Sequence, residues 1–502
     1  MEPTKRIIIN SLVQYVRTFV SMAIMLFSTR LLVKTLGHSD YGLYSVVGST
    51  VFMIGFITAS LASSTQRFLS VSHGNGDKHQ LREIFANAFF LHLCIALGIA
   101  CLMWLLGPTF IGGLSIAPGK YPTASFVYSM VLLMTLTTFL TAPLRALFIA
   151  RENIIYVSVV EVVDAVLKLV GTISLSYISY DSLKVYSVIM FLISVFNMLA
   201  YALYGLAHYE ECHVPRLKEV SRSCMKSLTG FAVWNVYAVG SGVVRTQGLA
   251  VVINHFLGTL VNAAYGVALQ VYNAVSFIAL SILNAVNPQL MKAEGAGDRV
   301  RMLLLSTKES KYSFLVLSVL LIPLIFEMPA VLSFWLNDVP RHAVMFCQFI
   351  LISYIWDQTT IGLTSANQAI GRIRNYSLLT STTRLMVLPL AWYCLKQGMD
   401  VSAVMVAYLA VDVIIGMMRI PFLKVTGGLC VQAYIKDVYL RCSLPALGVM
   451  GLSWMMVSLV NVPFRFVMTE ALCVALGVVL IYLVALTKEE RAWVTKKIRR
   501  KK

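Results

Sequence analysis

Apolar runs recur along the whole chain, broken by short polar stretches; Met130 to Leu140 and Phe314 to Ile325 are two of them. A helix needs about 20 apolar residues to cross bilayer hydrocarbon, and on that measure the pattern predicts about fourteen spans. The first six cover 7–35, 41–66, 83–107, 124–147, 155–178 and 184–208. After the polar stretch 209–226 come 227–256, 260–289, 309–336, 343–365, 373–396 and 401–422. Two more, 442–461 and 465–486, precede a basic tail, KEERAWVTKKIRRKK. The expected fold is therefore all-α and polytopic. Its parts are an N-terminal lobe (1–208), a cytoplasmic linker (209–226), a C-terminal lobe (227–423), two extra helices (424–486) and the tail (487–502).

An internal repeat divides the pattern. LGHSDYGLYSVVG (36–48) follows the first predicted helix, and LGTLVNAAYGVALQV (257–271) follows the seventh. Downstream, STQRFL (64–69) and then HGNGDK (73–78) are matched by NPQLMK (287–292) and then EGAGDR (294–299). Three shared features in one order predict two six-helix halves, and an even helix number makes those halves parallel in topology. The two Gly-x-Gly-Asp segments read as tight turns in which glycine supplies positive φ. Neither follows a strand or has the spacing of a phosphate-binding loop.

Composition supports the membrane reading. Of 502 residues, 58% are apolar and 13% charged, against about 25% charged in soluble domains. Mean hydropathy is +0.77. The opening MEPTKRIIIN has no small-residue cleavage site, so the N-terminus is expected to be retained. Nine cysteines fall without CxxC or Cys/His spacing, which argues against a disulfide framework and a metal site.

Lys and Arg number 41 against 23 Asp and Glu, a net charge of +18. Alternating the predicted spans puts thirty of those bases on one side with both termini. Only Lys34, Lys120, Lys184, Arg341, Lys396 and Arg465 fall on the other, while Arg17, Arg30, Lys168, Arg245 and Arg384 lie within spans. Positive charge stays in the cytoplasm, so both termini are expected there, and anionic lipid accounts for the basic tail without nucleic acid.

Polar residues inside the spans fall on narrow arcs. The first helix aligns Asn10, Gln14, Arg17, Ser21 and Ser28, with Arg30 nearly opposite; the second aligns Ser45, Ser49, Ser60, Ser63 and Arg67. In the fifth, Glu161, Asp164, Lys168, Thr172 and Ser176 share a face, with Asp164 and Lys168 spaced to pair. That pair reads equally as structural neutralisation or as function, and Glu161 needs a cation from another helix or a proton. The seventh helix aligns Trp234, Ser241 and Arg245, and the eighth Asn262, Asn273, Ser276, Asn284 and Asn287. Asp357 lies in the tenth helix, and Asp412 in the twelfth is spaced to form a structural pair with Arg419.

Two halves with polar inner stripes describe a transporter with its substrate near the midplane. Gln14, Arg17, Arg67, Lys168, Trp234 and Arg245 are the candidate substrate-binding residues, and Asp164, Asp357 and Asp412 the candidate ion-coupling ones. The basic excess predicts an anionic substrate group, since a guanidinium grips two phosphate oxygens at once. Short external loops without a carboxylate pair or His cluster argue against an enzyme.

LGHSDYGLYSVVGS followed by ASSTQRFLS resembles the N-terminal signature of bacterial polysaccharide transporters, flippases in the superfamily of multidrug and toxic compound extrusion proteins. The resemblance implies alternating-access transfer of an undecaprenyl-diphosphate-linked oligosaccharide across the inner membrane, with Arg17 and Arg245 on the diphosphate. Its implied partners are that lipid-linked oligosaccharide, membrane lipids, a polysaccharide polymerase and a chain-length regulator; it implies a monomer without cofactor, coupled to Na+ or H+. Drug antiporters of the superfamily often carry an acid in the first helix, where this chain has only bases; cation-coupled multidrug efflux is the alternative.

The repeat makes a topology prediction. Asp77→Cys and Asp298→Cys, each alone, should react with a membrane-impermeant thiol reagent from the cytoplasmic side, and labelling from opposite sides would refute the parallel repeat.

Overall fold

The computed structural model describes residues 3–112, 119–178, 180–336 and 339–492. The side chains of Asn10, Arg30, Ser45 and Ser49 lie outside the described residues, as does the tail from 493.

Helices follow the apolar runs. In chain order they are α1 (3–36), α2 (38–75), α3 (Lys78–Gly112), α4 (Tyr121–Ala150), α5 (Ile154–Ser174) and α6 (Ser182–His208). Then come α7 (Arg222–Gly258), α8 (Leu260–Gly295), α9 (Arg299–Phe326), α10 (Ala343–Gln358) and α11 (Ile361–Ile370). The series ends with α12 (Ile373–Lys396), α13 (Val401–Gly427), α14 (Val431–Leu459) and α15 (Arg465–Ala485). The expected tenth span breaks at Thr359–Thr360 into α10 and α11, and the expected ninth ends in a separate short helix, Met328–Trp335.

Ten helices among the described residues are long and apolar enough to cross a membrane. α5 falls short of that standard because it carries Glu161, Asp164 and Lys168, yet it is strongly two-faced. Val159, Val163, Val166 and Val170 form one exposed stripe while Val157, Val160 and Thr172 are buried. Such a bare valine stripe is what lipid covers.

The glycines of the repeat have matching conformations. Gly37 (φ 75°, ψ 166°) divides α1 from α2, and Gly258 (φ 79°, ψ 179°) divides α7 from α8, both in a backbone region that only glycine occupies without strain. Gly76 (φ 74°) and Gly297 (φ 75°) precede Asp77 and Asp298. Each carboxylate caps the next helix, accepting the N–H of Gln80 or Arg301 at 3.0 Å. The remaining pair meets directly: a Cβ on Gly74 would strike the Lys292 carbonyl, and one on Gly295 would strike the Val71 carbonyl. Glycine is needed there for space.

The chain forms two compact units, one of residues up to Gly240 with Asn287–Gly297, the other of Ser241–Val286 with everything from Asp298 on. The division falls inside α7 and α8, beyond the polar linker at 209–226. The physical reason lies in the first unit, where the Asn235 amide donates to the Ser60 carbonyl at 2.9 Å and Ala232 packs with Leu61, Ala96 and Phe139. The end of α8 is held there too: Lys292 and Gln289 reach Glu152 at 2.7 and 3.2 Å. The core of this unit gathers Tyr156, Tyr201 and Tyr209 around Phe148, with ring centroids 5.0 to 5.2 Å away.

In the second unit, α9 begins ten residues earlier than the apolar run suggested. Its first turns are polar but buried, because Ser306, Ser310 and Ser313 are small enough to lie against neighbouring helices. Gly362 of α11 sits so close that a Cβ would strike the Ser306 carbonyl, and its N–H donates to the Ser310 hydroxyl at 3.0 Å. α12 is interrupted at Met386 because Pro389 has no N–H for the Leu385 carbonyl.

A substitution at the α7–α8 break should show its backbone cost. Gly258→Ala is expected to destabilise the protein by about 1–3 kcal/mol in detergent unfolding. Gly266→Ala, in open space within α8, should be neutral or mildly stabilising.

Candidate functional site

Each unit contains its own charge network within its helices. In the first, α5 presents Glu161, Asp164 and Lys168 one turn apart towards α1, α4 and α6. Glu161 takes two cations. Arg17 of α1 ion-pairs with one of its oxygens, and Arg145 of α4 donates Nε and Nη2 to the other at 3.1 and 2.7 Å. A single carboxylate between two guanidinium groups leaves positive charge on the pair. One turn on, Lys168 pairs with Asp164 at 2.7 Å, and the Asn197 amide of α6 donates to the other Asp164 oxygen at 2.7 Å. Gln14 is buried beside Arg17 on α1, its Oε1 lacking a hydrogen-bond partner.

A cavity of about 310 Å³ opens next to this network, bordered by Thr58, Thr138, Thr141, Arg145, Ser194 and Asn197. Arg145 and Asn197 therefore face the cavity with one edge and the ion pairs with the other. Of the predicted binding residues, Arg17 and Lys168 join the network. Arg67 lies elsewhere in the unit, stacked over Phe68 and Phe231 at 4.8 and 4.9 Å, and Trp234 packs edge-on to Tyr237.

The second unit repeats the arrangement with different residues. Arg245 of α7 donates Nη1 to Asp412 of α13 at 2.6 Å, its guanidinium lies 4.4 Å over the Tyr408 ring, and the Ser353 hydroxyl of α10 donates to the second Asp412 oxygen. Arg419 pairs with Asp357 at 2.7 Å and donates to the Thr360 hydroxyl at 3.0 Å. The expected Asp412–Arg419 pair within α13 is thus replaced by two pairs between helices. Seven residues place both on one face, but each finds a closer partner across the packing.

Arg384 of α12 stands in the same field of charges, formed by Arg245, Asp357, Arg419 and Asp412, without a hydrogen bond or ion pair of its own among the described residues. A guanidinium left over in this way is available to a ligand.

Arg145, Arg419 and Lys311, which the alternating count assigned to loops, lie inside helices and bind acids. Arg145 binds Glu161, Arg419 is 3% exposed on Asp357, and Lys311 is 2% exposed on Glu490 at 2.7 Å. Arg145 was the residue that spacing missed; its acid lies sixteen positions away on the next helix. The unpartnered acid in α5 was the signal that a base had to come from elsewhere.

The MatE family profile matches residues 11–174 of this chain. No curated protein matches it. A solved MATE in the straight conformation is 15% identical, with a TM-score of 0.73, covering 87% of this chain and 98% of that one. An outward-facing multidrug resistance MATE family transporter of the MOP superfamily is 14% identical, with a TM-score of 0.73, over 86% of this chain and 97% of its own. A MOP superfamily transporter from Pyrococcus furiosus, described as having a binding pocket of reverse polarity, is 14% identical with a TM-score of 0.71, over 86% and 97%. The chain is a multi-pass membrane protein with the MATE transporter fold.

The two networks should differ in cost when broken. Asp412→Asn strands a guanidinium that is 14% exposed and should destabilise by about 3–5 kcal/mol. Asp164→Asn releases Lys168, already 46% exposed, and should cost about 1 kcal/mol or less. Denaturant unfolding of the purified variants in one detergent checks the order.

Proposed function

We propose that this chain is an export transporter that carries an amphiphilic solute across the membrane by alternating access, and that it acts as a cation-coupled efflux antiporter. The observation carrying the reading is the fold: 86–87% of the chain aligns with solved MATE structures, one of them named a multidrug resistance MATE family transporter. The cavity of the first unit, with hydroxyls from Thr58, Thr138, Thr141 and Ser194 beside the Arg145 guanidinium, suits a partly polar guest. Coupling at Asp164, Asp357 or Asp412 requires the incoming cation to displace a resident base, since all three are paired.

A second reading, flipping of an undecaprenyl-diphosphate-linked oligosaccharide, is favoured by a separate observation. Arg17, Arg145 and Lys168 face Glu161 and Asp164 in one unit; Arg245, Arg384 and Arg419 face Asp357 and Asp412 in the other. Each network thus has one more base than acid, which suits an anionic headgroup. A superfamily relative with reversed pocket polarity makes such a departure reasonable. Under this reading a diphosphate would draw bases from their acids within one network, Arg17 and Arg145 in the first unit or Arg245 and Arg384 in the second.

Two strains separate the readings. In a host stripped of its efflux pumps, the efflux reading predicts a severalfold rise in tolerance to cationic dyes, lost with Asp412→Asn at equal abundance on an immunoblot. In a host lacking its polysaccharide flippase, it predicts no restored surface polysaccharide. Restored display without drug tolerance, abolished by Arg384→Ala, would replace efflux with flipping.

A further inference from the structure

Glu309 belongs to none of these networks. It lies in α9, 1% exposed, and the Ser365 hydroxyl of α11 donates to its Oε1 at 3.0 Å. Its Oε2 is buried without any hydrogen-bond partner. Lys311, Arg419 and Arg441, on the helices around it, are committed elsewhere. Lys311 and Tyr312, next along α9, both turn to Glu490, each at 2.7 Å. Arg419 of α13 is held by Asp357 of α10. On α14, Arg441 pairs with Asp437 at 2.6 Å and the Cys442 thiol turns to the Asp437 carbonyl.

The other titratable groups are also turned away. Tyr434 donates to the Thr359 carbonyl at 2.5 Å, and Tyr439 shares a hydrogen bond with the Thr359 hydroxyl at 3.1 Å. On α15, the Cys473 thiol meets Ser453 at 3.3 Å, and Glu470 adds a second acid rather than a base. An ionised Glu309 would therefore have a single neutral hydroxyl to offset its removal from water, whereas a carboxylic acid would be stable there.

The segment carrying Ser365 is a separate short helix. α11 is ten residues long, preceded by the break at Thr359–Thr360 and ended by Gly371 in the left-handed conformation (φ 86°). It is fastened to α9 by the Ser365–Glu309 bond, the Gly362–Ser310 bond and the close seat of Gly362 on Ser306. Any separation of α11 from α9 admits water to Glu309 and removes the reason for it to be neutral.

We propose that Glu309 is a proton-binding site: its carboxyl holds a proton while α11 is seated on α9 and releases it to water when that contact opens. The bond broken is the carboxyl O–H, and the product is a hydrated carboxylate. Assigning this proton to the transport cycle rests on the transporter reading above; the protonation itself does not.

Infrared difference spectroscopy of the full-length protein in lipid vesicles, recorded through a pH titration in sodium-free buffer, reads the site directly. A protonated-carboxyl C=O band should be present at neutral pH, shift down in D2O and disappear in alkali. Glu309→Gln should remove it, Ser365→Ala should shift it by deleting its hydrogen bond, and Glu470→Gln should leave it. Superimposable neutral-pH spectra for wild type and Glu309→Gln would overturn the proposal. If Glu309→Gln does not fold, an unmoved band in Ser365→Ala would do the same. Loss of the band on adding sodium at constant pH would also overturn it, in favour of a cation-bound carboxylate. The expected Glu309 band in a protein that moves neither dyes nor lipid-linked sugar would leave the proton site standing and remove the transport reading.

Discussion

The cost of taking charge out of water constrains this structure more than any other single term. A lone ion inside a helix bundle surrounded by lipid is expensive enough that partners must be supplied by the fold itself. Glu161 is shared by Arg17 and Arg145, Asp412 is gripped by Arg245 and Ser353, and Asp357 is bound by Arg419. Each pair ties one helix to another, so the charges fix which polar faces look inward. Hydrophobic burial cannot do this, because apolar faces such as the valine stripe of α5 are as well served by lipid as by protein.

Glycine supplies the second constraint. Matching positive-φ residues at Gly37 and Gly258, and at Gly76 and Gly297, turn the chain at equivalent points of the repeat. Gly74 and Gly295 act through absence of volume, letting the ends of α2 and α8 approach to backbone contact. Conformation and space are different demands, and the same short motif, Gly-x-Gly-Asp, answers both before its aspartate caps the next helix.

Much of this was legible in the sequence. Apolar runs located the helices because hydrocarbon thickness sets their length, and the arcs containing Arg17, Glu161, Asp164 and Lys168 on their helices did turn to protein partners. Pairing across helices was not legible. Spacing along one helix suggested Asp412 with Arg419, yet three-dimensional packing gave each a partner from another element. Arg145, Arg419 and Lys311 looked like loop charges because they lie near the ends of apolar runs, and only their buried acids reveal otherwise. Glu309 was invisible for a related reason, since the serine-rich start of α9 reads as polar although packing buries it.

Under the proposed function, this protein exposes an internal site to each side of the membrane in turn, and the cavity lined by hydroxyls and Arg145 is the candidate for that site. Thr141, which lines the cavity, offers the most direct test. In a chain whose nine native cysteines have been replaced, Thr141→Cys should react with a membrane-impermeant thiol reagent from outside in intact cells and from inside in inverted vesicles. Reaction from one side only, under every condition of pH and sodium tried, would contradict alternating access.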